Sequence, residues 1–433
     1  MRKTLVSSAL ICLLLAASAA AQVVVDDRAN PALKRSIAVP PMAVETAGLQ
    51  DLAKEMTSVL AYDLDYTGFF QLLDPARYPL GFTALDPDVT KLDRGAWSAT
   101  GAEFLVFGSL ASEGDQIIGR FRLFDLKSGD QVVGQELRVQ RQFDRLAAHR
   151  FSEEIVKFTA GEPGIGSSEI VFSAGPTGKK EIWVADYDGA NARQVTKHGS
   201  ISIKPKISPD GGKIAYLSYK DRYNYLYIYD RRSGTSTPLS KEVGLNLAPA
   251  WSPDGRTIAL TLSKDGNTEI YLKSPDGSNS RRLTQNRDGD TQPSFSPDGK
   301  RIVFVSDRGG SPQVYTMGAD GSGQTRLSLQ GGNSYDPVWS PDGNWIAYVV
   351  EQKGSSFQIY VIPAEGGDAR RLTTGVGNES PSWSADSRNL IFLSTRSGGK
   401  QLWTVNVLTG EERKVPNLQS LSCEGPTWGP RRQ

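Results

Sequence analysis

The chain has 433 residues, 38% of them hydrophobic, which is enough to bury at least one large core and, by length, to form two domains. Lys plus Arg number 49 against 48 Asp plus Glu, a formal charge of +1, so no global field favours nucleic acid or anionic lipid and no polynucleotide partner is expected.

Residues 1–21 read as an address. Arg2 and Lys3 form a positive start, residues 5–15 an apolar run, and Ala19, Ala20 and Ala21 supply small residues for a signal peptidase, placing cleavage before Gln22. No later stretch approaches the roughly 20 apolar residues a membrane span needs, so the mature chain is expected to be soluble, with no transmembrane segment. Cys12 raises a competing lipidated N-terminus, but Ile11 precedes it where a small residue is wanted. Once the signal is removed, Cys423 is the one remaining thiol; an intramolecular disulfide is then impossible, and Cys423 reads as a small buried side chain.

Residues 22–160 predict a small mixed α/β domain. A strand is expected at 36–39, an amphipathic helix at 49–64, strands at 104–109, 116–124 and 131–139, and a second helix at 143–158 with Phe143, Leu146, Ala147, Phe151, Ile155 and Phe158 on its buried side. Residues 161–168, rich in glycine and proline, read as the linker.

From 169 to 433 the sequence repeats. The pentapeptides beginning at Ile207, Trp251, Phe295, Trp339 and Trp383 are spaced by 44 residues and vary on aromatic-Ser-Pro-Asp-Gly, and Trp428-Gly429-Pro430 is a degenerate sixth copy. A proline stands two positions ahead of each: Pro205, Pro249, Pro293, Pro337, Pro381 and Pro426. Ser-Pro-Asp-Gly is a turn, because proline presets φ and glycine tolerates a positive φ at the fourth position. Three further short β-rich runs follow each turn, so every unit is a four-stranded meander, the spacing of propeller blades. The first unit lacks its leading strand and the last has only that strand, so the C-terminus should complete the first blade. The fold class is therefore a small mixed α/β N-terminal domain followed by an all-β six-bladed β-propeller, and the repeated tryptophans are expected to pack between blades.

Catalytic chemistry is hard to place. There is no Gly-x-Ser-x-Gly elbow, and His149 and His198 are the two histidines present, which with one mature cysteine do not make a zinc ligand set. The acidic turn Asp186-Tyr187-Asp188-Gly189 looks faintly like a calcium loop but sits where a hairpin turn belongs. No enzyme activity, metal or cofactor is expected. The competing classes are a hydrolase or lyase with its active site in the propeller funnel and a purely structural propeller.

The repeat Pro-x-Trp-Ser-Pro-Asp-Gly, together with Ser36-Ile37-Ala38-Val39-Pro40, Gly68-Phe69-Phe70-Gln71-Leu72-Leu73-Asp74 and Ala148-His149-Arg150 leading into Glu154-Ile155-Val156, resembles the TolB family of the periplasmic Tol-Pal system. The resemblance implies a monomeric periplasmic scaffold between an inner-membrane complex and the outer-membrane lipoprotein Pal, serving envelope integrity, outer-membrane constriction at division and bacteriocin import. It implies that TolA binds the mature N-terminal arm, here Gln22, Val23, Val24, Val25, Asp26 and Asp27, a Val-rich segment suited to strand addition. It also implies that Pal meets propeller loops, with matching positions at Asn246, Ala248 and Thr291, and that other outer-membrane proteins and bacteriocins are further partners. Family members often carry His-Asn-Gly before the Ala-Pro pair, where this chain has Leu245-Asn246-Leu247.

Overall fold

The computed structural model describes residues 34–161, 164–328, 332–352, 354 and 356–432; the signal segment and the arm Gln22, Val23, Val24, Val25, Asp26 and Asp27 lie outside them. The first domain runs β1 (Arg35–Ala38), β2 (Ala43–Val44), α1 (Gln50–Tyr66), β3 (Phe70–Leu72), α2 (Arg94–Ser98), β4 (Phe104–Glu113), β5 (Gln116–Asp125), β6 (Gln131–Gln140) and α3 (Asp144–Ala160). Its sheet has the order β3-β1-β4-β5-β6, with β1 parallel to both neighbours and β4 to β6 an antiparallel meander. Met56, Leu60 and Leu64 of α1 and Ala147, Phe151 and Ile155 of α3 pack on Phe104, Val106 and Phe121 of the sheet.

Two expected core residues are corrected. Phe143 and Phe158 are 47% and 48% exposed. Phe143 ends a 3₁₀ turn ahead of α3, and the buried stripe of α3 runs through Ala147, Ala148, Phe151, Ser152, Ile155 and Val156, which turns position 158 outward.

The propeller has six four-stranded antiparallel sheets, numbered I to VI around the ring. In blades II to VI the innermost strands are Ser202–Ile207, Asn246–Trp251, Asp290–Phe295, Ser334–Trp339 and Glu379–Trp383. Each contains the repeat proline, tolerated because an inner strand has a neighbour on one side alone and its missing N–H faces the channel. The turns form as the repeat predicts: Ser208, Ser252, Ser296, Ser340 and Ser384 each donate to the aspartate two residues on, at 2.5–2.6 Å. The following residue has a positive φ in every one of these turns, including Ser387 at 59°, where the last full repeat carries no glycine. The repeat tryptophans staple neighbouring blades. Trp251 Nε1 donates to the Lys206 carbonyl at 2.9 Å, and Trp383 Nε1 to that of Val338 at 3.1 Å, each reaching back one blade.

Blade I is built from both ends of the propeller, in the order Cys423–Arg431, Ser168–Ala174, Glu181–Asp186, Arg193–Gln194. Trp428 pairs with Ile170, is 5% exposed, and donates its indole N–H to Ser168 Oγ at 2.8 Å. Its ring stacks on Tyr187, whose hydroxyl donates to Asp63 of α1 at 2.7 Å.

Asp63 is the centre of the seat between the first domain and the propeller. It also accepts from Ser152 Oγ at 2.5 Å and contacts His149 Nδ1 at 2.8 Å, all fully enclosed. Around it, Arg145 binds Asp188 at 2.5 Å and Arg432 binds Asp186 at 2.9 Å, while Arg413 of blade VI binds Asp65 at 2.7 Å. Gly166 of the linker passes so close that a Cβ there would stand 2.8 Å from Asp63 Oδ2. Burial pulls the His149 imidazole down, but Asp63 with Asp188 and Asp186 outweigh it and hold the proton on above the usual histidine value.

Two outcomes follow from this architecture. Trp428→Ala should cost about 3–5 kcal/mol by chemical denaturation, and truncation after Ser422 should lower the melting temperature further; an unchanged melt for both would mean the ring does not depend on its last strand. Because the folded His149 titrates above its unfolded value near 6.5, the stability it adds is fully present below about pH 6.5 and is lost as pH rises through the folded value. The stability gap between the native protein and His149→Gln should therefore narrow with rising pH, and a gap that widens would show that the ring is neutral in the folded state.

Candidate functional site

Antiparallel register sorts the loops of the propeller onto two ends. Asn246 pairs with Leu262, and Ser202 with Ser218, so the connectors ahead of each inner strand and the loops after each second strand share one end. The opposite end carries the Ser-Pro-Asp-Gly turns and the turn at 186–190, on which the first domain sits. The first end is thus clear of that domain.

Exposed apolar side chains collect there. Among the described residues of the propeller, the large hydrophobics with high exposure are Tyr219, Tyr223, Val243, Leu245 and Val376 at this end, and Leu408 at the other. Four of the five lie together on blades II and III, with Val243 86% and Tyr223 64% exposed. A cluster of this kind, rimmed by polar loops, marks an interaction surface.

The axial channel, a cavity of about 760 Å³ lined by all six blades, runs from Tyr219 at this end to the turn prolines Pro209, Pro253, Pro297 and Pro341 at the other. Each inner strand has a register break two residues ahead of its aromatic position or nearby, and the residue before the repeat proline has a positive φ: Lys204 (55°), Ala248 (49°), Gln292 (54°), Asp336 (45°), Ser380 (54°) and Gly425 (57°). One strained backbone position repeated six times around a channel mouth is a positional signature of function. These side chains form a polar belt. Gln292 Nε2 donates to Asp336 Oδ1 at 2.6 Å, Ser380 Oγ donates to Asp336 Oδ2 at 3.2 Å, and Lys204 reaches from blade II to Asp336 on blade V, across the ring, at 3.6 Å. Burial would raise the Asp336 carboxyl, but Lys204 and Lys206 hold it below the ordinary range.

Of the residues singled out in the sequence, Ala248 and Thr291 both line this channel. Asn246 is set back and fully buried: its Oδ1 accepts from Ser240 Oγ at 2.7 Å and from the Glu242 N–H at 3.1 Å, and its Nδ2 donates to the Glu242 carbonyl at 2.9 Å. It shapes the loop that presents Val243 and Leu245. The belt and the exposed patch were not singled out; applying the 44-residue register to Ala248 would have found Lys204, Gln292, Asp336 and Ser380.

Both histidines have structural partners. His198 Nε2 lies 2.9 Å from the Tyr216 hydroxyl. His149, Asp186 and Asp188 form the one convergent set of potential metal ligands among the described residues, with ligand atoms within 4.8 Å of one another. Arg145 and Arg432 already neutralise those two carboxylates, so the set works as a buried ion network joining the domains.

Comparison with known proteins agrees with this architecture. The TolB beta propeller domain model matches residues 156–432 and the TolB amino-terminal domain model residues 22–132. The Tol-Pal system protein TolB of Cereibacter sphaeroides is 36% identical over 199 residues, 45% of this chain and 44% of the relative; that of Syntrophotalea carbinolica is 37% identical over 209 residues, 47% and 48% respectively. The aligned region therefore spans about half the length of these curated relatives. The crystal structure of TolB from Acinetobacter baumannii superposes with a TM-score of 0.80 at 26% identity, covering 92% of this chain and 97% of that one. With the propeller model covering more than half of its length, the chain belongs to the TolB family.

Proposed function

We propose that the protein is a non-enzymatic, protein-binding scaffold of the Tol-Pal system, working in the periplasm after removal of residues 1–21. The observation that carries this reading is the exposed apolar cluster on the propeller end that the first domain leaves uncovered, of which Tyr219 also lines the channel. Relatives named Tol-Pal system protein TolB support the same assignment, and no helix among the described residues is long and apolar enough to cross a membrane.

In this reading the outer-membrane lipoprotein Pal docks on the propeller end through the loops bearing Tyr223, Val243 and Leu245, reaching Ala248 and Thr291 at the channel. TolA takes the arm Gln22 to Asp27. Simultaneous engagement would place the protein between the two membranes, with roles in envelope integrity, constriction at division and bacteriocin import. A standard interface buries roughly 1,600 Å² and draws on roughly 20–30 residues a side, more than this patch alone provides, so the polar loops around it belong to the footprint.

Two capture experiments test it. The double variant Tyr223→Ala, Leu245→Ala removes exposed side chains and should leave folding intact while weakening Pal capture roughly thirtyfold, about 2 kcal/mol. Unchanged capture would move the docking site elsewhere. Deleting residues 22–27 should abolish TolA capture and leave Pal capture in place; TolA retained by the deleted chain would remove the arm from the site.

A further inference from the structure

The inner wall of the channel has one position that differs in kind between blades. Five blades carry Ala250, Ser294, Val338, Ser382 and Thr427 there, all small or apolar, and blade II carries Lys206. Lys206 lines the channel, is only partly exposed, and among the described residues meets no carboxylate within ion-pair distance.

The charged groups facing it are already committed. Asp336 on blade V is held by Lys204, Gln292 and Ser380. Glu424 on blade I is bound by Lys180 and Lys400, and the Glu379 carboxyl of blade VI is raised by its burial. Among the residues lining the channel, two lysines, Lys204 and Lys206, share one carboxylate, Asp336. Burial pulls the Lys206 ammonium down to about 8, Asp336 opposes that and Lys204 adds to it. A cation held in a poorly solvated wall with no carboxylate in ion-pair contact is costly, and a ligand that supplies that contact recovers the cost.

Between its polar groups the wall carries apolar surface from the repeat prolines and from Trp251, Trp339 and Trp383. We propose that the channel is a binding site for an organic carboxylate carrying an apolar body, with the carboxylate on Lys206 Nζ and the body against the proline and tryptophan wall. A cavity of about 760 Å³ falls within the range of sites that enclose small organic ligands. The carboxylate comes either from a free amphipathic acid or from a glutamate side chain on an inserted apolar segment. The site is argued from the channel wall alone and does not rest on the Tol-Pal reading.

The test titrates the full mature protein by calorimetry with octanoate, its neutral analogue octanamide, and the peptide acetyl-Leu-Glu-Leu-amide beside its glutamine counterpart. The charged probe of at least one pair should bind roughly tenfold or more tightly than the neutral one at neutral pH. That preference should fade as pH rises through about 8 and Lys206 loses its proton. Lys206→Met, which keeps the length of the side chain and removes its charge, should abolish the preference, and Lys206→Arg should keep it. Octanoate alone showing the effect identifies a free acid, and the peptide alone an inserted segment; either supports the site. Equal binding within both pairs, no binding by any probe, or a preference that survives in Lys206→Met overturns it.

Discussion

The pairing of Cys423–Arg431 with Ser168–Ala174 is the constraint on which the molecule's shape rests. Five blades are local meanders whose strands follow one another, and each can form its own ladder. Blade I cannot, because its inner strand comes from the far end of the chain. Without that strand, Ser168–Ala174 would present an open sheet edge, and the inter-blade packing of Trp428 and Ile207 would be lost on both sides of the gap. Closure also fixes the first domain, since the indole of Trp428 backs Tyr187 and Tyr187 holds Asp63.

The parts of the fold that repeat were legible in the sequence, because repetition averages out the ambiguity of any one strand. Five prolines and five turn motifs in a single register, with a degenerate sixth copy at Pro426 and Trp428, fix blade number, strand order and the need for a terminal latch before any side chain is placed. In the first domain, α1, α3 and β4 to β6 were readable from periodicity, whereas β2, β3 and α2, of two, three and five residues, are shorter than the period that would reveal them. Phe143 and Phe158 misled because residue type suggested burial where helix phase decides it. Of the site, Ala248 and Thr291 were reached through resemblance. The patch at Tyr223 and Leu245 was not, because exposure of an apolar side chain is a tertiary fact.

The two ends of the propeller divide the work of the molecule. One end carries a dense ionic seat, where Arg145, Arg413 and Arg432 meet aspartates and His149 lies buried. The other offers apolar loops and a polar belt over the channel. The strand Cys423–Arg431 borders both: Gly425 to Pro430 line the channel, while Trp428 and Arg432 reach the seat. Any shift of that strand would register at both ends, which gives the two surfaces a shared physical element.

The separation of Trp428 from Ser168, 260 positions along the chain, also dictates the order of events when the protein is made. The half-built blade I leaves the ribosome early and waits for nearly the whole remaining polypeptide before its missing piece exists. Folding is therefore a late, long-range step with high contact order, slow by nature and exposed to aggregation until it is finished. A chaperone that shields that unpaired edge would be protecting a stretch of backbone whose partner is missing until Cys423–Arg431 has been made.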